Sequence, residues 1–342
     1  MNKFSTLIGA ALMMGVAGQV STATAADAEY TLVISSWTPP GAAMNSIMWP
    51  NLTKMIEEAT DGRVTTELKI GLAPPPAQFD IVQDQAADLS WIFHGYNPGR
   101  FVTPTMLELP GYDASSETLS VAYWHAYENY FAKANEYQGV KLIGLMVHGP
   151  GQMNSSAQVE TLEQMKDLKV RVGGGVSSMV AEAVGAKGIS VPSPKLYETL
   201  ASHAADATLS PIESRKSFNL TEVTKNVYVM PGGFYRGTFA LIMNQEKFDS
   251  LPADIQEALD GVFGEAASRM AGKVWDEIDE DGWEATRSAG DNVIVEASQA
   301  DQESFAAIAA NVRKQVLENV SATGVDANAA FEAIQSEIGA AR

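Results

Sequence analysis

The first third of the chain alternates between short apolar runs and amphipathic stretches. Runs in which every second residue is apolar are typical of strands, and apolar residues three or four positions apart indicate helices. The pattern predicts a strand at Tyr30–Ser36, a helix at 43–59, a strand at 63–70, a short helix at 77–85 and a strand at 88–93. Strands that alternate with helices in this way are typical of a parallel sheet.

A second series of strands and helices follows. The pattern predicts a helix at 117–134, a strand at 140–147, strand and helix steps through 167–211, and strands at 226–230 and 237–244. Apolar spacing indicates one long helix at 252–278 with a single buried face, and two more helices at 302–319 and 327–338. The strand at 237–244 is predicted to return to the first sheet, so the chain crosses between two sheets several times.

We therefore predict an α/β fold of two interleaved domains around a cleft. The first domain is expected to comprise 27–150 and 237–275, and the second 151–236. The remaining segment, 276–342, is expected to form helices that pack on both domains. In sheets of this kind, ligands bind beyond the carboxyl ends of the strands.

Residues 1–26 have the pattern of a secretory signal peptide. Lys3 supplies a positive charge, 7–17 form an apolar run, and 23–25 offer small residues for cleavage. The apolar run is shorter than the roughly 20 residues that span a bilayer. We therefore expect a periplasmic protein that is not inserted in the membrane.

Charge and residue usage exclude several functions. The formal charge of −19 argues against nucleic acid and anionic membranes as partners. The chain has no cysteine, so disulfides and thiolate chemistry are excluded. Its four histidines lack metal-type spacing, and no Gly-x-Ser-x-Gly motif is present. We expect neither an enzyme nor a cofactor.

Arg171 is the first candidate for ligand binding. It ends a short apolar strand and is followed by Gly173, Gly174 and Gly175 and then by the start of a helix. The planar guanidinium binds a carboxylate through two hydrogen bonds and does not lose its proton. The alternative is that Arg171 forms a salt bridge within the protein.

Aromatic residues follow the predicted strand ends of the first domain. Trp91, Phe93, Tyr96 and Phe101 lie near one strand end, and Trp37 follows a neighbouring strand. Strand alternation directs only one face of such a cluster toward a cleft, and the other rings are expected in the core. From these regions we take as further ligand-binding candidates Trp37, Phe93, His94, Tyr96, Arg100, Tyr235 and Arg236.

The segment from 162 to 211 resembles the solute-binding subunits of tripartite ATP-independent periplasmic (TRAP) transporters. KDLKVRV (166–172), AVGA (183–186), SPKLYETLAS (193–202) and ADATLSP (205–211) are similar to the family's DLKGLKIRV, LGA, ELYTALQ and VDGQENP. FDSLPADIQEAL (248–259) is also similar to a family segment. The resemblance implies two hinged domains braced by a long helix, a membrane permease as partner, and a ligand carboxylate bound by Arg171.

Two departures from the family pattern affect the expected ligand. Ser210 stands where the family has an asparagine, so a hydroxyl replaces an amide. Family members for dicarboxylates or sialic acid often carry a second arginine in the preceding strand, and 152–154 has none. We therefore expect a small organic monocarboxylate, with an aromatic acid of the benzoate or hydroxybenzoate type first. Aliphatic 2-oxo or hydroxy acids, dicarboxylates, onium zwitterions held by cation–π attraction and a role as a ligand sensor stay open.

Overall fold

The computed structural model describes residues 28–341, and the predicted signal peptide at 1–26 lies outside them. Eleven strands are found among the described residues: β1 (Tyr30–Ser36), β2 (Val64–Ile70), β3 (Leu89–Phe93), β4 (Val140–Val147), β5 (Gly151–Ser155), β6 (Lys169–Val172), β7 (Lys187–Ser190), β8 (Ala207–Pro211), β9 (Asn226–Val229), β10 (Thr238–Asn244) and β11 (Val293–Glu296).

Twelve α-helices complete this part of the chain: α1 (Trp49–Ala59), α2 (Gln78–Gln83), α3 (Ser116–Ala126), α4 (Val176–Ala183), α5 (Leu196–Ala201), α6 (Ser214–Ser217), α7 (Leu220–Val223), α8 (Gln245–Asp249), α9 (Ala253–Asp260), α10 (Glu265–Ser288), α11 (Gln299–Ala322) and α12 (Ala327–Ala340). Short π-helical turns at Met44–Met48 and Tyr127–Phe131 precede α1 and follow α3. None of the helices within 28–341 is both long and apolar enough to cross a bilayer.

The strands form two separate sheets, which confirms the predicted two-domain α/β fold class. The first sheet has the order β2-β1-β3-β10-β4, and the second has the order β11-β9-β5-β8-β6-β7. Strands β1, β2 and β3 run parallel, whereas β10 is antiparallel to both β3 and β4. The first sheet is therefore mixed, and its returning strand β10 comes from the part of the chain that follows the second sheet.

Local patterning explains the first sheet. Leu32 and Ile34 alternate along β1 and are buried, and α1 covers them with its buried Leu52 and Ile56. Each Å² of apolar surface that this packing buries contributes about 25 cal/mol to the stability of the fold. Trp49 at the start of α1 is also buried, so the helix is held along its whole length.

One helix contacts both halves of the molecule. On α10, the carboxylate of Asp276 accepts hydrogen bonds from the backbone N–H groups of Ser116 and Glu117, at 2.7 and 3.0 Å, at the start of α3. One turn further on, Asp279 accepts from the backbone N–H of Glu213, at 3.2 Å, just after β8 of the second sheet. This arrangement agrees with the bracing helix that the family resemblance implied.

Two predicted features of the C-terminal third are wrong. The helix predicted at 252–278 is broken into α9 and α10, because Gly264 has φ +73° and its N–H donates to Ile143 O instead of continuing a helix. The segment after α10 is not purely helical, since β11 joins the edge of the second sheet beside β9. Apolar spacing alone could not reveal either feature, because both depend on partners far away in the chain.

Candidate ligand cavity between the two sheets

A cavity lies between the two sheets, with about 580 Å³ of space unfilled by protein atoms, including the part open to solvent. Side chains from both sheets and from α10 line it. The aromatic lining residues are Trp37, Trp91, Phe93, Tyr96, Tyr235, Phe239 and Trp275. The polar lining residues include His148, Arg171, Ser193, Ser210 and Glu213. The cavity therefore combines a large aromatic surface with a few polar groups, as small-molecule sites commonly do.

Arg171 lies in this cavity and is 2% exposed. Strand β6 holds it between β7 and β8, and its Nε donates to Val191 O at 2.7 Å. Its Nη2 donates to Ser193 Oγ at 3.3 Å, and no carboxylate of residues 28–341 lies within 4.0 Å of the guanidinium. The salt bridge considered as an alternative role for Arg171 is therefore absent from the described part of the chain. Burial of a charge without a partner costs free energy.

Four aromatic rings form a continuous stack along one wall. The centroids of Trp37 and Trp91 are 4.2 Å apart with nearly parallel planes, and Trp91 stacks on Phe239 at 5.2 Å. Phe239 in turn stacks on Trp275 at 5.2 Å. The indole N–H of Trp37 donates to Trp91 O at 3.0 Å, which fixes the outer ring of the stack. The rings hold one another in place, so the wall is rigid and aromatic, and it is suited to an apolar ligand group.

Tyr96 and Ser193 link the two halves across the cavity. Tyr96 follows β3 of the first sheet, and Ser193 follows β7 of the second. The backbone N–H of Ser193 donates to Tyr96 Oη at 2.8 Å, and the two hydroxyl oxygens are 2.9 Å apart. Since Ser193 Oγ also accepts from Arg171, these contacts connect the aromatic wall to the arginine.

Two other predicted candidates line the same cavity. Ser210 on β8 accepts a hydrogen bond from the side-chain amide of Asn154 at 3.2 Å. Tyr235 is buried, and its hydroxyl donates to Leu209 O at 3.4 Å. Burial raises the pKa of Tyr235, so its phenol is neutral.

Three predicted ligand-binding candidates, His94, Arg100 and Arg236, lie outside the cavity. His94 lies outside the cavity, because β3 ends at Phe93 and the chain turns at His94–Tyr96, and it contacts Thr238 Oγ1 and the hydroxyl of Tyr137. Burial lowers the pKa of His94 to about 3. Phe101, from the same aromatic cluster, packs on His94 and not in the cavity.

The two remaining arginine candidates are also outside the cavity. Arg100 is near the surface, where it pairs with Asp80 at 3.3 Å and lies 3.5 Å above the ring of Phe79. Arg236 is buried but donates to the backbone carbonyls of Tyr112, Ala114 and His148. Burial lowers the pKa of Arg236 to about 10.

Several lining residues were missed by sequence reasoning, notably His148, Glu213, Phe239 and Trp275. His148 directly follows β4, and Glu213 comes two residues after β8. Position at a strand end could have indicated both, since cleft residues occur there. No comparable signal marks Trp275, because it lies on a helix that reaches the cavity only in the folded chain.

One acid of residues 28–341, Glu213, lines the cavity near α10, and Asp279 of α10 accepts a hydrogen bond from its backbone N–H. Burial raises the pKa of Glu213. Burial, together with the nearby Glu213, also raises the pKa of Asp279 well above its usual value. Ser214 Oγ donates to Glu213 Oε1 at 3.0 Å. Glu213 and Arg171 line the same cavity without forming a salt bridge.

Comparison with known proteins identifies the class to which this fold and cavity belong. Residues 36–319 match the DctP family, described as bacterial extracellular solute-binding protein, family 7. The chain therefore belongs to this family and is a solute receptor of the TRAP type, as the sequence resemblance implied. This is a family of substrate-binding proteins and not of enzymes.

Individual relatives agree with this assignment. A TRAP periplasmic solute-binding protein from Bordetella bronchiseptica, solved with bound (R)- and (S)-mandelate, is 34% identical with a TM-score of 0.88 over 91% of this chain and 99% of its own. A TRAP solute-binding protein from Rhodoferax ferrireducens, solved with copurified benzoate, is 25% identical with a TM-score of 0.85 over 90% and 97%. A Comamonas testosteroni protein named outer membrane transporter protein TsaT is 27% identical over 239 residues, which are 69% of this chain and 71% of that protein.

Proposed function

We propose that the protein binds a small aromatic monocarboxylate, of the benzoate or hydroxybenzoate type, in the cavity between the two sheets. The observation that carries this proposal is Arg171, a buried cation that lines the cavity and has no carboxylate partner among residues 28–341. A ligand carboxylate would accept hydrogen bonds from the remaining N–H groups of Arg171 and neutralise the charge of the guanidinium. The pairing would be strong because the site excludes most water.

The walls of the cavity favour an aromatic ligand over an aliphatic one. The stack of Trp37, Trp91, Phe239 and Trp275 gives the cavity that contains Arg171 a large aromatic surface. Ring-on-ring contacts add about 0.5–1.5 kcal/mol beyond the burial of apolar area. A single arginine in the cavity suits one carboxylate better than two. The relatives that hold mandelate and benzoate support the same class of ligand.

The decisive experiment replaces Arg171. We expect Arg171→Ala to weaken binding of benzoate and hydroxybenzoates by about 2–5 kcal/mol, or at least about 30-fold in Kd, because the ligand charge loses its partner in a buried site. The Kd of Arg171→Lys should lie between those of the unaltered protein and of Arg171→Ala, since an ammonium keeps the charge but loses the planar pair of donors. Isothermal titration calorimetry and ligand-induced shifts in Tm measure both effects.

Arg100→Ala is the matched control, because Arg100 is partly exposed and pairs with Asp80 outside the cavity. It should leave Kd unchanged. Thermal unfolding without ligand shows whether each variant is folded. Tight binding of aromatic acids by a folded Arg171→Ala protein would contradict the proposed anchor.

We further propose that the protein works in the periplasm and delivers its ligand unchanged to a TRAP membrane permease. The membership in a family of extracellular solute receptors supports this role. Incubation of the purified protein with bound ligand, followed by chromatography, should recover the ligand quantitatively. Conversion of the ligand to a product would indicate an enzyme instead.

A further inference from the structure

His148 places a hydrogen-bond acceptor in the cavity that the proposed function does not use. The residue directly follows β4 and is 2% exposed. Its Nδ1 lies 2.5 Å from Gly149 O. A carbonyl oxygen can only accept, so Nδ1 carries the proton. Burial lowers the pKa of His148 to about 3, and the ring is therefore neutral. In this tautomer Nε2 has a free lone pair and can only accept a hydrogen bond.

The surroundings of Nε2 leave that lone pair available. The imidazole lies edge to face with Tyr235, at 5.2 Å between centroids, and 5.8 Å from the ring of Trp275. No hydrogen bond to Nε2 is found within residues 28–341. Gly237 lies beside it, and a Cβ at this position would come within 2.4 Å of Nε2. Gly237 therefore makes room for the imidazole, and a side chain at this position would clash with Nε2.

A second acceptor lies in the same region. Glu213 lines the cavity. Its backbone N–H donates a hydrogen bond to the carboxylate of Asp279, so the two residues are in contact. No lysine or arginine of residues 28–341 forms a salt bridge with Glu213 or Asp279. Among the described residues that line the cavity, Arg171 is the one basic side chain of fixed charge, and His148 and Glu213 are separate from it.

We propose that the natural ligand carries, besides its carboxylate, a hydroxyl group that donates a hydrogen bond to His148 Nε2. This inference rests on the proposed function, because it assumes that the carboxylate pairs with Arg171. The same arrangement disfavours a dicarboxylate, since a second carboxylate would face the lone pair of Nε2 and the carboxyl oxygens of Glu213.

An ammonium group is also disfavoured in this region. Arg236 lies behind the imidazole, and its Nη1 donates to His148 O at 3.3 Å. Its positive charge contributes to the low pKa of His148, and it would oppose any other cation at Nε2 in the same way. A neutral hydroxyl avoids this repulsion and still satisfies the acceptor.

The first test uses a series of ligands with the unaltered protein. Benzoate is compared by calorimetry with its 2-, 3- and 4-hydroxy derivatives and with the corresponding fluoro derivatives, and phenylacetate is compared with mandelate. We expect at least one hydroxy acid to bind about threefold to tenfold more tightly than its parent, which is the usual contribution of one hydrogen bond. The matching fluoro acid is similar in size but cannot donate, so it should bind no better than the parent. Equal binding of each hydroxy acid and its matching fluoro acid would overturn the proposal.

The second test assigns the preference to His148. His148→Leu removes the acceptor and should reduce the preference for the hydroxy acid to below about twofold, while the parent acid still binds. His203→Asn changes an exposed histidine outside the cavity and should keep the full preference. A preference that persists in folded His148→Leu protein would overturn the assignment. The ligand series needs no variant, so it tests the preference for a hydroxyl group even if His148→Leu does not fold.

The two proposals fail in different ways. If no aromatic acid binds the unaltered protein, the proposed function is wrong. If aromatic acids bind through Arg171 but show no preference for a hydroxyl, only the present inference is wrong.

Discussion

Among residues 28–341, three arginines are buried, and each guanidinium is stabilised differently. Arg215 donates to side-chain oxygens of Asn154, Thr224, Thr286 and Asn292 and to Thr224 O, so its donors are almost fully used. Arg236 donates to three backbone carbonyls. Arg171 makes only two hydrogen bonds and opens onto the cavity. Its position in the cavity lining, together with its free donors, distinguishes the proposed ligand-binding arginine from the two structural ones.

Glu108 is a buried acid that connects the two halves of the molecule. Its Oε2 accepts from the backbone N–H of Val176, the first residue of α4, at 2.8 Å, and its Oε1 accepts from Thr238 Oγ1 at 2.8 Å. Burial raises the pKa of Glu108 to about 7, although both hydrogen bonds oppose the shift. Gly174 has φ +107°, and a Cβ there would clash with Gly95 O, so glycine permits the tight turn that brings α4 to this carboxyl.

The raised pKa of Glu108 predicts a loss of stability as the pH increases. The folded protein keeps this proton up to about pH 7, whereas the unfolded chain releases it near 4.5. The unfolding free energy should therefore fall between these two values, by at most about 3 kcal/mol at 1.36 kcal/mol per pKa unit. Glu108→Gln does not titrate, so its stability relative to the unaltered protein should rise from about pH 5 to about pH 8.

Urea unfolding over this pH range measures the effect. Glu163→Gln is the control, because the side chain of Glu163 is 86% exposed and should leave the profile unchanged. Parallel pH profiles for Glu108→Gln and the unaltered protein would show that Glu108 does not titrate between the two pH values.

At the scale of elements, the break between α9 and α10 is centred on Gly264. Gly264 adopts φ +73°, and a Cβ there would lie 2.8 Å from the indole of Trp124. Its N–H donates to Ile143 O at 2.6 Å, which ties the break to β4. The break reorients the chain so that α10 can run past α3 toward the second sheet.

We expect Gly264→Ala to lower the unfolding free energy by about 1–3 kcal/mol, because an alanine is strained at positive φ and would displace Trp124. Gly261→Ala is the matched control in the same connection. Gly261 has φ −67°, which alanine adopts freely, so its unfolding free energy should change by less than about 1 kcal/mol. Equal effects of the two substitutions in urea unfolding would contradict the role assigned to Gly264.

At the scale of the whole molecule, the chain passes between the two sheets at 148–150, at 230–237 and along α10. We propose that these crossings join two domains that close on the ligand by a hinge motion. Because β11 belongs to the second sheet, the second domain includes part of the segment 276–342, which was predicted to form only helices. The contact between Tyr96 and Ser193 spans the cavity and would hold the closed form.

Removal of the Tyr96 hydroxyl should therefore weaken ligand binding. Tyr96→Phe keeps the ring contacts with Trp37 and Phe93 but leaves the backbone N–H of Ser193 without its acceptor. We expect Kd to rise about threefold to tenfold, mainly through faster dissociation, as measured by stopped-flow fluorescence. Tyr197→Phe, which removes a hydroxyl that contacts Glu222 at the surface, should have no effect. An unchanged dissociation rate in Tyr96→Phe would show that this contact does not stabilise the closed form.

The sequence by itself determined the fold class, the family and most strands. These follow from hydrophobic periodicity and from local motifs such as KDLKVRV, and both are properties of neighbouring residues. The strand that precedes Trp37 and the strands that contain Phe93 and Arg171 were placed correctly for the same reason, and all three side chains line the cavity.

Only the tertiary structure decided which side chains face the cavity. Phe93 and His94 are neighbours in sequence, yet one lines the cavity and the other contacts Tyr137 in the core, because β3 ends at Phe93 and the chain turns at His94–Tyr96. Trp275 reaches the cavity from a helix whose start is set by Gly264 and β4. Such placements depend on contacts between distant segments, and no local pattern in the chain records them.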